Sequence, residues 1–482
     1  MDQARQPDPR PTRLRAHRRQ FVLGPEPWRA HESWQRIQLG PSLWLAHCPE
    51  LRVLLAHDAE ARPWVLLGRA VQSLPDGDPI PDSIRASATS DVPERSWGWA
   101  GRWLLIGQDA LYTDASALLG CFYGISRRGT CWASSSPALM ASLLSGAPES
   151  APCPRRTLAY RTGLPWYPPP ESGFADVRRL LPSQALLLHP CVIRPRALMP
   201  AIDPGLGTDR VLDRVQESLA ITLQRLAAQQ PDSEPWLGLT AGYDSRLVLA
   251  LAANTGVPCR PFTRLAERAS VADRILPPHL ARLVGYRHVY LPSKHPGNDP
   301  ARRRLVESHC AGHVSEGDAL PFITGARDGL QGVQVGGHGW EAASGWRRFQ
   351  GVLSNASQGA WTIASHFGEP VDSSATAAVG EWLQWTLDHP HAHLDWRDRF
   401  YLEQRHAGWL SSKEQLYDLT DLERFPVLNA ASNYALLLGV PESERLKSKL
   451  QAKLIKRLAP ELLRYPFNPP DAGVASLFQD RT

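Results

Sequence analysis

Asp244 and Ser245 lie within the run Trp236-Leu237-Gly238-Leu239-Thr240-Ala241-Gly242-Tyr243-Asp244-Ser245-Arg246-Leu247-Val248-Leu249-Ala250. A short apolar segment ends in small residues, then Asp-Ser, then an apolar helical pattern. That order predicts a strand, a tight turn and a helix N-terminus. The first N–H groups of a helix lack intrahelical partners and the helix dipole is positive there, so such a turn attracts anions. The small side chains of Thr240, Ala241 and Gly242 let the backbone approach a phosphate closely. No Gly-Lys-Ser/Thr follows, so this is not a Walker A loop. A second turn, Val333-Gln334-Val335-Gly336-Gly337-His338-Gly339-Trp340-Glu341, again ends an apolar strand in glycines with a carboxylate beyond. Either turn alone also fits an ordinary βα loop. Together they could hold one nucleoside triphosphate between Leu239, Thr240, Ala241, Gly242, Ser245 and Gly336, Gly337. Asp244 and Glu341 would then hold Mg²⁺ against the phosphates.

A third feature is a lysine cluster in a chain that otherwise uses arginine. Lys447, Lys449, Lys453 and Lys456 fall within ten residues, and only six Lys occur in all. A helix over 442–459 places Leu450, Leu454 and Leu458 at about 40°, 80° and 120° from Leu446, marking a buried stripe, with Lys447 inside it at about 100°. Arg457 also falls in the stripe, and the other lysines fall outside it. An inward ammonium is costly unless it meets an anion, which polyphosphate would supply.

These features must be held by particular elements. Residues 20–200 read as β-rich, with short apolar runs punctuated by Gly, Pro and Asp. From 205 the pattern becomes helical at Val211, Leu212, Val215, Leu219, Leu223 and Leu226, with Thr208 as the expected N-cap. Strands at 236–239, 258–263 and 287–291 alternate with helices at 244–254 and 270–284, the latter expected to be broken or shortened by Pro277-Pro278. Alternation at this spacing predicts a parallel sheet, whose ligands bind at the carboxyl ends of its strands. A mostly helical C-terminal part follows.

The first turn resembles the pyrophosphate loop Ser-Gly-Gly-x-Asp-Ser of the asparagine synthetase superfamily, read here as Thr-Ala-Gly-Tyr-Asp-Ser. The second resembles that superfamily's facing Ser-Gly-x-Gly-x-Asp loop. Glu423-Arg424-Phe425-Pro426-Val427-Leu428-Asn429 is similar to its Glu-x-Arg-x-Pro-Phe-Leu-Asp region, with Asn429 in place of the acid and Glu423 shifted one place. Lys447-x-x-Leu450 stands where the family has its catalytic Lys, and Asp273 precedes Gly285 at the family's spacing. More loosely, Asp114, Gly120, Phe122-Tyr123 and Ala133-Ser134-Ser135 resemble the end of the family's glutaminase domain. The resemblance implies an α+β N-terminal sandwich, a degenerate Ntn-glutaminase-like domain over 20–200. An α/β parallel-sheet ATP-pyrophosphatase domain, adenine nucleotide α-hydrolase-like, would follow over 205–482.

It also implies chemistry. Members adenylate a carboxylate with ATP, releasing pyrophosphate, and an amine then attacks the acyl carbon to form an amide. The expected catalytic residues are Lys447, His338 and Glu423, with His338 as a neutral base for the attacking amine. A solvent-facing loop histidine fits His338 equally. Glutamine-using relatives carry a nucleophilic Cys after the initiator Met, whereas position 2 here is Asp2. The resemblance therefore implies an amine- or ammonia-dependent ligase, similar to β-lactam synthetases and lasso-peptide cyclases, in natural-product or peptide/glycan modification. One substrate could carry both carboxylate and amine. The competing class is a non-catalytic member that binds a nucleotide or a partner.

Composition narrows the rest. The 482 residues predict two or three domains, and 43% hydrophobic and 21% charged residues are those of a globular protein. A net charge of +5 with scattered basic residues gives no nucleic-acid surface. The Arg- and Pro-rich residues 1–19 read as a disordered basic tail lacking the apolar core of a signal peptide. No run has membrane-spanning length. Seven dispersed cysteines without a CxxC pair predict reduced thiols and a cytoplasmic location, and a homodimer is left open. His389, His391 and His393 read as a loop or strand edge in preference to a metal site.

Overall fold

The computed structural model describes residues 16–145, 163–174, 176–265, 269–292, 297, 299–344, 353–474 and 477. Two six-stranded antiparallel sheets form its first part. One runs in the order Arg178–Arg179, Phe122–Ile125, Cys131–Ser134, Phe21–Gly24, Leu43–His47, Gln35–Gly40. The other runs Val192–Pro195, Gln184–Leu187, Ala110–Thr113, Trp99–Ile106, Pro63–Gln72, Val53–His57. Alternate residues such as Phe21, Leu23, Leu43 and Leu45 meet Val65, Leu67, Leu104 and Ile106 in one shared core. That period of two makes the pair a sandwich.

Two expectations fail in this part. Residues 16–19 are docked, not disordered: the His17 N–H donates to His309 Nδ1 at 3.0 Å, and Arg18 pairs with Asp421 at 2.7 Å. The rest of the expected tail lies outside the described residues. Nor are all thiols reduced, because Cys131 and Cys191 form a disulfide. Cys48, Cys121, Cys259 and Cys310 are free and buried, and Cys153 lies outside the described residues. No described helix is long and apolar enough to cross a membrane.

The third sheet is parallel and has five strands, ordered Val289–Pro292, Arg260–Leu265, Trp236–Gly238, Gly332–Gly336, Leu422–Pro426. The chain lays two further strands outward from Trp236–Gly238, then returns to its other side with Gly332–Gly336. The strand order therefore reverses between the two strands that carry the glycine turns. In open α/β sheets a crevice forms at that reversal, beyond the carboxyl ends of the strands.

The helix Tyr243–Thr255 follows the first turn and ends at left-handed Gly256. Its apolar residues and those of Thr208–Ala228 bury Leu223, Leu226, Leu247 and Leu251 against the sheet. Thr208 is the first helical residue and not the cap, and its hydroxyl donates to Glu444 at 2.7 Å. Val271–Leu283 is continuous through Pro277-Pro278. Pro278 leaves the Arg274 carbonyl without its helical donor, and the Tyr290 hydroxyl takes that carbonyl instead.

The sandwich and the parallel sheet share a well-packed boundary. Val71, Ala100 and Ala115 belong to the same core as the sheet's helices. Arg102 grips Asp418 through two 2.7 Å hydrogen bonds, both side chains buried. Asn429 Nδ2 donates to the Gly101 carbonyl and to Asp114 Oδ1, at 2.7 and 2.8 Å. Asp114 also accepts backbone N–H groups from Trp103, Ser116 and Leu118. An acid at 429 would face that buried carboxylate, which accounts physically for the amide found there.

Candidate functional site

The first turn is fastened from behind. Leu239 continues the strand ladder, its N–H donating to the Phe262 carbonyl at 2.8 Å. The Ala241 carbonyl receives Arg246 Nη2 at 2.8 Å and the Asn468 N–H at 3.2 Å. Arg246 is fully buried and donates also to the carbonyls of Leu462, Tyr465 and Pro466. Burial lowers its pKa to about 10, and four carbonyls still hold it as a cation at neutral pH. Phe467 stacks on Tyr243, with ring centroids 3.8 Å apart. The C-terminal segment thus clamps the turn. In front, Thr240 donates its N–H to Ser245 Oγ at 3.0 Å, and the two hydroxyls lie 2.8 Å apart. Gly242 precedes the helix in an extended conformation, so the N–H groups of Tyr243, Asp244 and Ser245 open the helix.

The second turn comes directly against the first. A Cβ on Gly337 would lie 2.8 Å from the Asp244 carbonyl oxygen, so only glycine permits this approach. Gly339 has a φ of +107°, and a Cβ there would meet Tyr434 Oη at 2.6 Å. Its N–H donates to Glu341 Oε2 at 3.1 Å, which turns that carboxylate back over the glycines.

The two carboxylates feel each other. Burial, and then the negative charge of Glu341, push the Asp244 carboxyl up to about 7, against a weak pull from the Gln451 amide 3.5 Å away. Among the described residues no cationic side chain contributes to that balance. Tyr401, buried at the start of a ten-residue π-helix (Tyr401–Leu410), has its phenol pushed well up by burial and by Glu341. π-helices recur at functional sites because the bulge re-aims side chains. The site is a pair of hard oxygen ligands at a helix N-terminus. Such a pair suits Mg²⁺, which takes one or two carboxylates and completes its shell with water and phosphate oxygens. Among the described residues no group of three or more His, Cys, Asp or Glu forms a metal cage, and His389 and His391 are tied to backbone carbonyls.

The other expected residues are placed differently. His338 is half-buried against Arg424, whose Nη2 is 2.6 Å from both ring nitrogens. Burial first, then Arg424, Lys413 and His406, hold the imidazole well below its ordinary pKa, so it is neutral at pH 7. Arg424 is anchored by buried Glu414 at 2.9 Å. Glu423 is not brought to the turns. It pairs with Val333 near the start of its strand, away from the carboxyl ends. Its carboxylate is taken by Arg69 at 2.6 Å and Arg52 at 3.6 Å. Burial raises its pKa, but the hydrogen bond and charge of Arg69 outweigh that and keep it ionised.

Lys447 is also not on a buried stripe. The expected helix over 442–459 breaks at Leu446–Ser448, where Lys447 and Ser448 are both left-handed, and resumes as Lys449–Leu458. Lys447 is exposed, two residues before the resumed helix that carries Gln451. Leu450, Leu454 and Leu458 are buried as expected, while Arg457 is exposed and pairs with Asp209 and Asp213. The buried cation here is Arg445, paired with Asp398 at 2.8 Å. Gln451 is buried with Leu450 and Leu454 on the resumed helix, and the angular count, which puts Lys447 and Arg457 in the stripe, does not single it out. Asp273, noted only for its spacing, accepts the Ala241 N–H at 2.8 Å.

No protein-family model matches the chain, and no curated protein matches it. Among solved structures, NMN synthetase from Francisella tularensis is similar at 13% identity and a TM-score of 0.18. The match covers 41% of this chain and 91% of that one. The likeness to asparagine synthetases therefore rests on the motifs themselves.

Proposed function

We propose that the paired glycine turns bind ATP with Mg²⁺ and that the chain adenylates a carboxylate, which an amine or ammonia then converts to an amide. The observation that carries this reading is the contact of Gly337 with Asp244. It sets two glycine turns, two carboxylates and a helix N-terminus side by side where the parallel sheet reverses its order. The N–H groups of Tyr243 to Ser245 stabilise charge gathering on the departing pyrophosphate. Asp244 and Glu341 would hold Mg²⁺, which would supply neutralisation of phosphate charge. Lys447, exposed at the break before the helix that carries Gln451, supplies the polyphosphate with a mobile cation. His338 is neutral and takes a proton from the attacking amine once Arg424 yields one ring nitrogen.

Glutamine is not the nitrogen source in this reading. Described thiols of the sandwich are poor nucleophiles, since burial pushes Cys48 up to about 11 and Cys121 up to about 12. ATP–pyrophosphate exchange across a panel of carboxylates tests the proposal. Exchange with any member supports it, and silence across the panel together with no ATP-dependent thermal shift removes it.

One observation favours a second reading, a nucleotide- or partner-binding protein without catalysis. Asp273 already occupies the Ala241 N–H of the phosphate turn. An ATP-dependent thermal shift without exchange would select this alternative.

A further inference from the structure

Behind His338 three cations converge on one phenol. Arg424, from the strand Leu422–Pro426, lies over the Tyr417 ring at 4.2 Å, and Arg327 lies over it at 5.7 Å. Lys413 stands one turn before Tyr417 in the helix Ser411–Asp418. Burial alone would raise the Tyr417 phenol, yet Arg424, then Arg327 and Lys413, outweigh it and hold it below its ordinary pKa. The potential there is positive even with Glu414 close by. Two of the cations are answered by carboxylates, Arg424 by Glu414 at 2.9 Å and Lys413 by Asp318 at 3.1 Å. Half-buried Arg327 has no carboxylate partner among the described residues, and the Tyr417 hydroxyl has no hydrogen-bond partner among them. The backbone that carries Arg327 is nevertheless fixed. Arg264 donates to the carbonyls of Ala326, Arg327 and Asp328, at 2.8, 3.0 and 3.2 Å. A guanidinium that is held in place but unpaired, beside a free hydroxyl, is matched to an anion.

Building on the adenylation reading above, we infer that this cluster selects the nitrogen donor: a primary amine that carries an anionic group, an amino acid in the simplest case, and not ammonia. Arg327 pairs with the anionic group and the Tyr417 hydroxyl donates to it. The amine is left to face His338, which Arg424 joins to the cluster at 2.6 Å. The same positive potential disfavours an ammonium, so the nitrogen stays neutral and nucleophilic. It attacks the acyl carbon of the adenylate. The C–N bond forms as the C–O bond to AMP breaks, the electron pair leaves on the AMP phosphate, and the amine proton passes to His338. Ammonia offers Arg327 nothing to bind, and ammonium is repelled.

The test gives the full chain ATP, Mg²⁺ and a carboxylate that supports pyrophosphate exchange, then follows amide formation with β-alanine, 2-aminoethyl phosphate, ethanolamine and ammonia. The two anionic amines are expected to exceed the other two at least about tenfold in kcat/KM, and their own order tells carboxylate from phosphate. Arg327→Gln loses no described partner and should shrink that advantage about tenfold. Tyr417→Phe keeps the ring under both arginines and should shrink it less. Equal rates for all four amines, no amide from either anionic one, or an advantage untouched by both substitutions overturns the inference. So does an Arg327→Gln protein that slows exchange and keeps the advantage, because the arginine then serves the polyphosphate. If no carboxylate supports exchange, the adenylation reading fails by itself and binding decides. Calorimetry without nucleotide should then show an anionic amine bound, ethanolamine unbound, and binding weakened about tenfold in Arg327→Gln. No binding of β-alanine or 2-aminoethyl phosphate in that case overturns the inference.

Discussion

The Asp273 carboxylate accepts the Ala241 N–H at 2.8 Å, so a side chain of the protein itself sits on one donor of the phosphate turn. Ser270 caps the helix that delivers it, through a 3.0 Å bond to the Asp273 N–H. The arrangement orders the turn, yet it sets a negative charge beside the place where phosphate would bind. Asp273→Asn keeps an acceptor oxygen for Ala241 and removes the charge. ATP is expected to bind several-fold more tightly to this variant, on the order of 1 kcal/mol. The gain should shrink as salt is raised. Fluorescence titration at low and high ionic strength measures it. Weaker binding at both would mean that the carboxylate matters more as a prop than as a repellent.

Gly337 tests the closeness of the two turns. Adding a methyl group places a carbon 2.8 Å from the Asp244 carbonyl, and backbone cannot swing aside as a flexible side chain can. Gly337→Ala is expected to cost about 1–3 kcal/mol in urea denaturation and to abolish the ATP-dependent thermal shift. A fully stable variant that still binds ATP would show that the turns part easily and do not act as one site.

Asp244 makes stability fall as pH rises. Its folded pKa, near 7 because of burial and Glu341, exceeds that of an unfolded aspartate, about 3.9. The native state therefore binds more protons than the unfolded chain between about pH 4 and 7. This contribution is fully present below the unfolded pKa and is lost as pH climbs through the folded one. Asp244→Asn is expected to flatten that part of the profile and to be more stable than wild type near pH 8, by roughly 1 kcal/mol or more. Mg²⁺ should stabilise wild type more near pH 8 than near pH 5, since only the ionised pair binds it well. Equal slopes for wild type and variant in urea melts across this range would rule Asp244 out as the cause.

Both turns are legible in the sequence because strand, small residues, carboxylate and helix follow one another without a gap, and local chemistry alone shapes such a unit. Their mutual contact is not legible, since it depends on the strand order that places Gly332–Gly336 beside Trp236–Gly238. Glu423 shows the limit in another way. Its motif is local, but the partners that claim it, Arg69 and Arg52, lie in the sandwich more than three hundred residues earlier. Asn429 differs from the family's acid for a similarly remote reason, the Asp114 carboxylate 2.8 Å away. The angular count along 442–459 assumes an unbroken helix, and two left-handed residues at 447 and 448 undo it.

That break defines the last expectation, for Lys447. A lysine at φ 58° carries a backbone cost of about 1 kcal/mol, which glycine would not. Lys447→Gly should therefore be at least as stable as wild type, and Lys447→Ala close to it, because no described partner is lost. If the ammonium neutralises pyrophosphate, both variants should lower ATP–pyrophosphate exchange by at least about tenfold. Lys447→Arg would restore part of the rate, since charge matters more there than shape. Measuring stability and exchange on the same three proteins separates the backbone effect from the charge. Exchange that tracks stability, rising in the glycine variant, would assign Lys447 to the hinge before Gln451 and leave the polyphosphate to the helix N-terminus and the carboxylate-bound cation.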